Sequence, residues 1–431
     1  MSFPARSRSR TGDFVRNRRL RIARYFIRHR YSSVMDRRRF LTAAGAGVAG
    51  LMAGCSAEST DDGSTDTGSG STDTPASGGT ATETDGTATA DGTVAGTASG
   101  GTPLLRVGTY PSFVDAPSSS PGAWLKERFE SEFDAELQWF APESSMDYFL
   151  QRRQQGVSID TDLFLGLAPE NLVRADRAVG DGDSLFTSVD TADLSNAGAI
   201  VDDYRFDPQE RAIPVGASYI SLVYNQNTLD ERSVEAPTTF DDLASAPYEN
   251  GLLVPNPQNS ETGLEFMFWT IDQFGEDGYL DYWSDLMGNG TRILQDWGTA
   301  YDAYSNDEAP MVVSFSTDQV YANRYDQDMA RHQVGFLNDS GYAYLEGAAP
   351  FAGTDKLGLA TEFIDFVLRP EVQAEIAQRN VALPAVDNAE LPDEYYDFVY
   401  EPEEIVSFGY DELMGNVEPW LSDWSRQIAT Q

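Results

Sequence analysis

The stretch RAIPVGASYISLVYN, residues 211–225, decides the fold. It is a nearly unbroken apolar run and reads as one strand. It is longer than the usual strand of about five or six residues, so it can cross from one domain into another. On its N-terminal side, LLRVGTY (104–110), AELQWFA (135–141) and TDLFLG (161–166) read as strands. Residues 121–133, MDYFLQRRQQG (146–156) and ENLVRADRAVG (170–180) read as helices, the last stopped by Gly180. On its C-terminal side the alternation repeats. GLLVPNP (251–257), TRILQD (291–296) and APMVVSFSTD (309–318) are strands, and SETGLEFMFWTIDQFG (260–275) is a helix opened from a Gly-containing loop. Thr239 with Asp242 three residues on has the pattern of a capping box. The chain returns through QVGFLND (333–339) and YAYLEGAAPFAG (342–353) to two helices, LATEFIDFVL (359–368) and RPEVQAEIAQR (369–379). Pro370 suits the first turn of the second helix. Such alternation predicts an α/β module of parallel sheets with helices on both faces. Two such blocks joined by long crossing strands predict two lobes with a ligand cleft between them.

The segment LQDWGTAYDAY, residues 294–304, sits in the second block. At helical spacing Trp297, Tyr301 and Tyr304 share one face, the usual pattern of a core stripe. An acid before a Trp and a Gly marks a helix start, however, and an aromatic there beside Asp296 and Asp302 suits a flat organic cation. The reading that follows puts Trp297 on the ligand, with Tyr301 and Tyr304 packed inward behind it.

Charge divides the chain. Residues 1–40 hold thirteen arginines against Asp13 and Asp36, a net +11, and the remainder holds 17 basic against 67 acidic residues, a net −50. Beyond residue 40 the only lysines are Lys126 and Lys356. Such a chain repels itself in dilute buffer. Molar salt screens the repulsion over about 3 Å, so the acidity reads as an adaptation to high salt. Nucleic acid is not an expected partner, since binding phosphates needs a basic patch. The 41% hydrophobic content argues for a folded protein over most of the length.

The first 55 residues read as an address. MDRRRFLTAAGAGVAGLMAGC (35–55) resembles a twin-arginine export signal, with Arg37-Arg38 followed by Phe40-Leu41. Its apolar run, Leu41 to Gly54, is too short for a membrane-spanning helix, which needs about 20 residues. LMAGC resembles a lipobox with Cys55 as the lipidated residue, although Met52 stands where the pattern prefers Leu. Cys55 is the one cysteine, which rules out an intrachain disulfide. Residues 1–34 precede a plausible start at Met35 and are set apart from the fold. Residues 56–102, built from Ser, Thr, Gly, Ala and Asp, read as a flexible linker. The whole is a module of residues 103–431 tethered at the outer face of the cytoplasmic membrane.

Enzymatic machinery is not expected. The module carries no G-x-S-x-G, P-loop or H-E-x-x-H pattern, and its single histidine, His332, reads as a hydrogen-bonded residue beside a strand. A hydrolase using two carboxylates is the alternative from another class. Tyr395-Tyr396 is a pair of a kind that can bind ferric iron, but its setting among turn residues favours partly buried packing.

Across nearly all of 104–431 the sequence resembles the thiamine-binding substrate-binding proteins of ABC transporters, in the wider class that includes ferric-iron and polyamine binders. The likeness is carried in order by VGTYPSF, TDLFLGL, SYISLVYNQNTL, DWGTAYDAY with VVSFSTD, GYAYLEGAA, LPAVDNAELP and WLSDWSRQI. It implies a two-lobed type II periplasmic-binding-protein fold, with lobe 1 at about 104–212 plus 330–431 and lobe 2 at about 213–329. It implies a monomer that captures thiamine, or a phosphate ester or close relative, with ferric iron or a polyamine as the alternative ligand, and hands it to a permease powered by a separate ATPase. No cofactor, catalytic residue or metal is expected. Carried over residue by residue, the family's ligand contacts fall on Tyr110, Ser144, Ser145, Ser260, Glu261, Trp297, Phe315, Ser316, Thr317, Asp318 and Tyr321. Aromatic faces attract a thiazolium, Asp318 is expected to neutralise it, and the Ser and Thr hydroxyls meet the pyrimidine. The chain departs from the family pattern at Ser144, where an acid is common, and at Val381 and Gly216-Ala217, where Trp and Asp-Tyr are common.

Overall fold

In the computed structural model the described residues are 102–115, 120–180 and 184–429. The basic start, the signal-like segment with Cys55 and the linker up to residue 101 lie outside them. Among the described residues no helix is long and apolar enough to cross a membrane.

The first block comprises β1 (Leu104–Gly108), α1 (Pro111–Asp115), α2 (Gly122–Glu132), β2 (Glu136–Phe140), α3 (Met146–Gln154), β3 (Leu163–Leu167) and α4 (Pro169–Val179). Then β4 (Ile213–Tyr224) runs for 12 residues, all but the last buried, as expected of a strand covered on both faces. The second block comprises α5 (Gln226–Arg232), α6 (Phe240–Leu243), β5 (Leu252–Pro255), α7 (Glu261–Phe274), α8 (Tyr279–Gly288), β6 (Arg292–Leu294), α9 (Trp297–Ser305), β7 (Met311–Phe315) and α10 (Asp318–Arg324). The chain returns through β8 (Gln333–Gly335) and β9 (Ser340–Pro350). It ends with α11 (Leu357–Val367), α12 (Pro370–Asn380), β10 (Leu383–Pro384), α13 (Asp393–Tyr396), β11 (Glu404–Val406) and α14 (Tyr410–Ile428).

Main-chain hydrogen bonds join the strands in the order β2-β1-β3-β9-β4-β7-β5-β6, with β10 and β8 on β4 and β11 on β9. Within each block the pairs β1/β2, β1/β3, β5/β6 and β5/β7 are parallel, as the alternation predicts. The long strands β4 and β9 run antiparallel to each other, β9 to β3, and β4 to β7. The expectation of purely parallel sheets is therefore corrected to a mixed sheet. Its two parallel ends are joined through an antiparallel centre, because the two crossing strands traverse the molecule in opposite directions.

Helix starts follow local chemistry. Thr239 and Asp242 form the expected capping box. Pro370 occupies the first turn of α12, and Gly180 ends α4 at φ +81°. One core gathers Leu105, Phe129, Phe363 and Phe366 under β1, α2 and α11. Another gathers Phe266, Trp269, Trp283 and Trp424 between α7, α8 and α14. There Trp283 and Trp424 meet edge to face at 5.3 Å, which seats α14 on the second block. Arg211, at the start of β4, is buried with Asp176 of α4 at 2.7 Å and Asp207 at 3.0 Å.

Candidate functional site

A row of aromatic rings begins where α9 begins. The Asp296 side chain accepts from the Thr299 amide at 2.7 Å, capping the helix so that Trp297 is its first residue. The Trp297 indole N–H donates to Ser314 Oγ at 3.0 Å, which fixes the ring, and the side chain stays 36% exposed. Its ring lies 5.2 Å from that of Tyr301 and 5.7 Å from that of Phe315. Phe315 in turn meets Tyr344 edge to face at 5.1 Å.

Tyr344 leads to an acidic pocket. In the β4–β9 ladder Ser218 stands opposite Tyr344 and Gly216 opposite Glu346. Opposed residues, and residues two apart, share one face of a sheet. Tyr344, Glu346 and the buried Ser218 hydroxyl therefore look the same way, and the hydroxyl has no hydrogen-bond partner. Two glycines make room for the Glu346 carboxylate. A Cβ on Gly216 would come within 3.3 Å of Oε2, and one on Gly166 within 3.4 Å of Oε1. Gly166, at φ +94°, also lets the Tyr110 ring approach, since a Cβ there would stand 2.6 Å from it. The Tyr110 hydroxyl is hydrogen-bonded to Glu346 and accepts from Asn380 Nδ2 at 2.9 Å.

Three further glutamates converge on this face. Glu261 and Glu265 lie on the first two turns of α7, and Glu170 opens α4. Glu170, Glu265 and Glu346 are all buried. Both oxygens of Glu265 and one each of Glu170 and Glu346 have no hydrogen-bond partner. Glu261 accepts from Asn171 Nδ2 at 2.6 Å. The Asn171 amide oxygen accepts from Arg174, which also reaches Asp147 at 2.9 Å. Burial pushes the Glu346 carboxyl up to about 7 against the Tyr110 hydrogen bond, with Glu261 adding to the rise. Burial and then the charge of Glu261 push Glu170 up to about 8. Burial raises Glu265 well above the carboxylate range, and Glu170, Glu261 and Glu346 each add to it. Burial and nearby carboxylates likewise hold the Tyr110 and Tyr344 phenols protonated.

Asp318, expected to neutralise a bound cation, already has partners. Its Oδ1 lies 2.7 Å from His332 Nδ1, and its Oδ2 accepts from the Tyr301 hydroxyl at 2.5 Å. The carboxylate is buried and holds Tyr301 behind Trp297. The histidine fourteen residues on folds back onto it, so the carboxylate is fixed in place beside the aromatic row. Tyr304 is buried, and its hydroxyl donates to the Arg331 carbonyl. Tyr395 is also committed, its hydroxyl donating to the Ala377 and Ala382 carbonyls.

The remaining candidates spread out along the same elements. Ser260 caps α7 without a side-chain bond, so its hydroxyl is not used by the helix. Ser316 and Thr317 are buried just after Phe315, and the Ser316 hydroxyl has no partner. Ser144 is exposed, and Ser145 precedes α3 at φ +45°. The Tyr321 ring lies 4.7 Å from that of Tyr325, tilted by 52°. Tyr110, Glu261, Phe315 and Trp297 are thus joined through Tyr344 and Glu346, which the sequence reading did not single out. The signal for Glu346 is its isolation, as the one charge in the apolar run YAYLEGAAP. Glu265 is marked in the same way within GLEFMFWTI.

The profile of the bacterial extracellular solute-binding protein family matches residues 176–399. The chain belongs to that family. This solute-binding protein is 26% identical over 328 residues to the thiamine-binding periplasmic protein of Escherichia coli strain K12, across 76% of this chain and 94% of that relative. It is 24% identical over 322 residues to the thiamine-binding periplasmic protein of Brucella melitensis biotype 1, across 74% and 90% of the two chains. Its fold is similar to that of a periplasmic thiamin binding protein, with a TM-score of 0.64 and 24% identity over 76% of this chain and 96% of that one. It is also similar to the periplasmic binding protein AfuA of Actinobacillus pleuropneumoniae, which carries fructose-6-phosphate. That match has a TM-score of 0.63 and 16% identity over 77% of this chain and 100% of the other. The architecture is thus the two-lobed type II periplasmic-binding-protein fold expected from the sequence.

Proposed function

We propose that this solute-binding protein captures thiamine, or a phosphate ester or close relative of it, and delivers it to the permease of an ABC importer driven by a separate ATPase subunit. The observation that carries the reading is the aromatic row Trp297–Phe315–Tyr344 leading to buried carboxylates. Ring faces and carboxyl groups that ionise beside a positive charge together select a flat organic cation. Thiamine joins a thiazolium cation to an aminopyrimidine, and the Escherichia coli and Brucella melitensis relatives are thiamine-binding. We place the two lobes on either side of the crossing strands β4 and β9, with α14 on the core of the second. The cleft then lies between the N-terminal end of α4 and that of α7.

Trp297→Ala is expected to weaken thiamine binding by about 1–2 kcal/mol, the size of a partly desolvated cation–π contact, with little change in melting temperature. Tyr304→Ala is expected to cost folding stability instead, by about 3 kcal/mol, because it empties a buried site. Calorimetric titration and thermal melts in molar salt check the pair. The opposite pattern would reverse the assignment of that helix face.

The reading places the module at the outer face of the cytoplasmic membrane of a salt-adapted cell, exported through a twin-arginine signal and anchored through lipid on Cys55. Cys55→Ser is then expected to move the protein from the membrane fraction to the soluble one. A variant that stays membrane-bound after a high-salt wash would rule out the anchor.

A further inference from the structure

Four glutamates from three separated stretches meet beside the aromatic row: Glu170 of α4, Glu261 and Glu265 of α7, and Glu346 of β9. The groups around them offer little compensation. Among the described residues Arg174 is the cation that acts on Glu170 and Glu261, and it is shared with Asp147 and lies 3.9 Å from Glu418. The phenols of Tyr110, Tyr342 and Tyr344 also lie at the cluster, kept protonated by burial first and by carboxylate charge second, and the Asp147 carboxylate acts on Glu261. Buried like charges cannot all stay ionised without a counter-charge. A buried carboxylate without hydrogen bonds is costly in either state, and Glu265 has none on either oxygen. The Ser218 hydroxyl, on the same sheet face as Glu346 and also without a partner, is an independent sign of an occupant that hydrogen-bonds there. Asp318 is bonded to His332 and Tyr301.

We propose that the Glu170–Glu261–Glu265–Glu346 cluster is the subsite for a flat organic cation that also carries amino N–H donors, and that the protein exchanges protons for that ligand on binding. The inference rests on the functional reading above and names the groups that would carry it. Without ligand, carboxylic acids in the cluster keep their protons. When the cation arrives, an acid O–H gives its proton to solvent, and the carboxylate left behind accepts hydrogen bonds from the ligand. No covalent bond to the ligand forms or breaks. Binding therefore strengthens as pH rises through the neutral range and weakens in acid.

The test is calorimetric titration in molar salt near neutral pH, repeated in buffers of different ionisation enthalpy, with thiamine and with benzamidinium as probes. Wild type is expected to release about one proton per thiamine bound. Glu346→Gln and Glu265→Gln are expected to release less and to bind at least about 10-fold more weakly, the size of a lost hydrogen bond to a charged group. Glu404→Gln, on the exposed part of β11, controls for net charge and is expected to match wild type. Melting curves of the Gln variants establish that they are folded. Thiamine binding without proton release, and unchanged in both Gln variants, would overturn the inference and leave the functional reading standing. Benzamidinium binding with proton release while thiamine fails to bind would keep the subsite and remove thiamine as its ligand. If neither probe binds the folded wild type, or if a bare divalent cation binds in their place, the subsite is overturned.

Discussion

Arg211→Met is expected to destabilise the module by about 3–5 kcal/mol, the cost of stranding buried charge by removing its partner. The Arg211 side chain is 4% exposed, and those of Asp207 and Asp176 are 0% and 10% exposed. Its guanidinium donates to both carboxylates, at 2.7–3.1 Å. Asp176 also accepts from the Tyr410 hydroxyl of α14, and the guanidinium lies 5.6 Å from the Tyr410 ring centroid. Methionine fills much of the volume but leaves two carboxylates without a cation where α4, the start of β4 and α14 meet. Urea unfolding in molar salt measures the effect. A loss of less than about 1 kcal/mol would mean that the triad is hydrated in solution.

The second large effect concerns pH. Glu346 is held at about 7 and Glu170 at about 8, above the ordinary glutamate value of 4.5. Between about pH 4.5 and pH 8 the ligand-free folded module keeps protons that the unfolded chain has lost, so its stability falls as pH rises through that window. The rise at Glu346 alone corresponds to roughly 3 kcal/mol between the two ends. Glu346→Gln and Glu265→Gln each remove a group that must otherwise keep its proton or be charged while buried. Each variant is expected to melt higher than wild type at about pH 8 and to show a flatter pH profile. Saturating thiamine is expected to reverse the slope, because the bound state favours ionised carboxylates. A ligand-free wild type whose melting temperature rises from about pH 5 to about pH 8 would show that the cluster is solvated.

The parts of the fold written in local pattern were legible. The run IPVGASYISLVY is too long and too apolar to be anything but a strand buried on both faces, and β4 is that strand. The start of α9 could be read because Asp296 caps it through a neighbour three residues away. The direction of β4 and β9 was not legible. Their pairing joins residues over a hundred positions apart, such as Ser218 and Tyr344, and nothing local fixes it. The acidic cluster was hidden for a related reason. In a chain with 69 acids a glutamate carries no signal by type, and only its isolation in an apolar stretch marks Glu265 or Glu346. The partners of Asp318 were not legible, because its neighbours in sequence are hydroxyls and aromatics, while His332 lies fourteen residues further along the chain.

Glu261 connects the site to the choice of ligand. It stands at the first position of α7, where a helix start would otherwise attract a phosphate, and Asn171 holds it in place. Under the proposed function, a charge there is expected to disfavour a phosphate ester by on the order of 1–2 kcal/mol. The most direct measurement is calorimetric titration of thiamine and thiamine diphosphate into the wild-type module in molar salt. Saturable binding of thiamine, tighter than that of the diphosphate, is the predicted result. No heat of binding with thiamine, or a preference for the diphosphate, would contradict an aromatic and carboxylate site built for an organic cation.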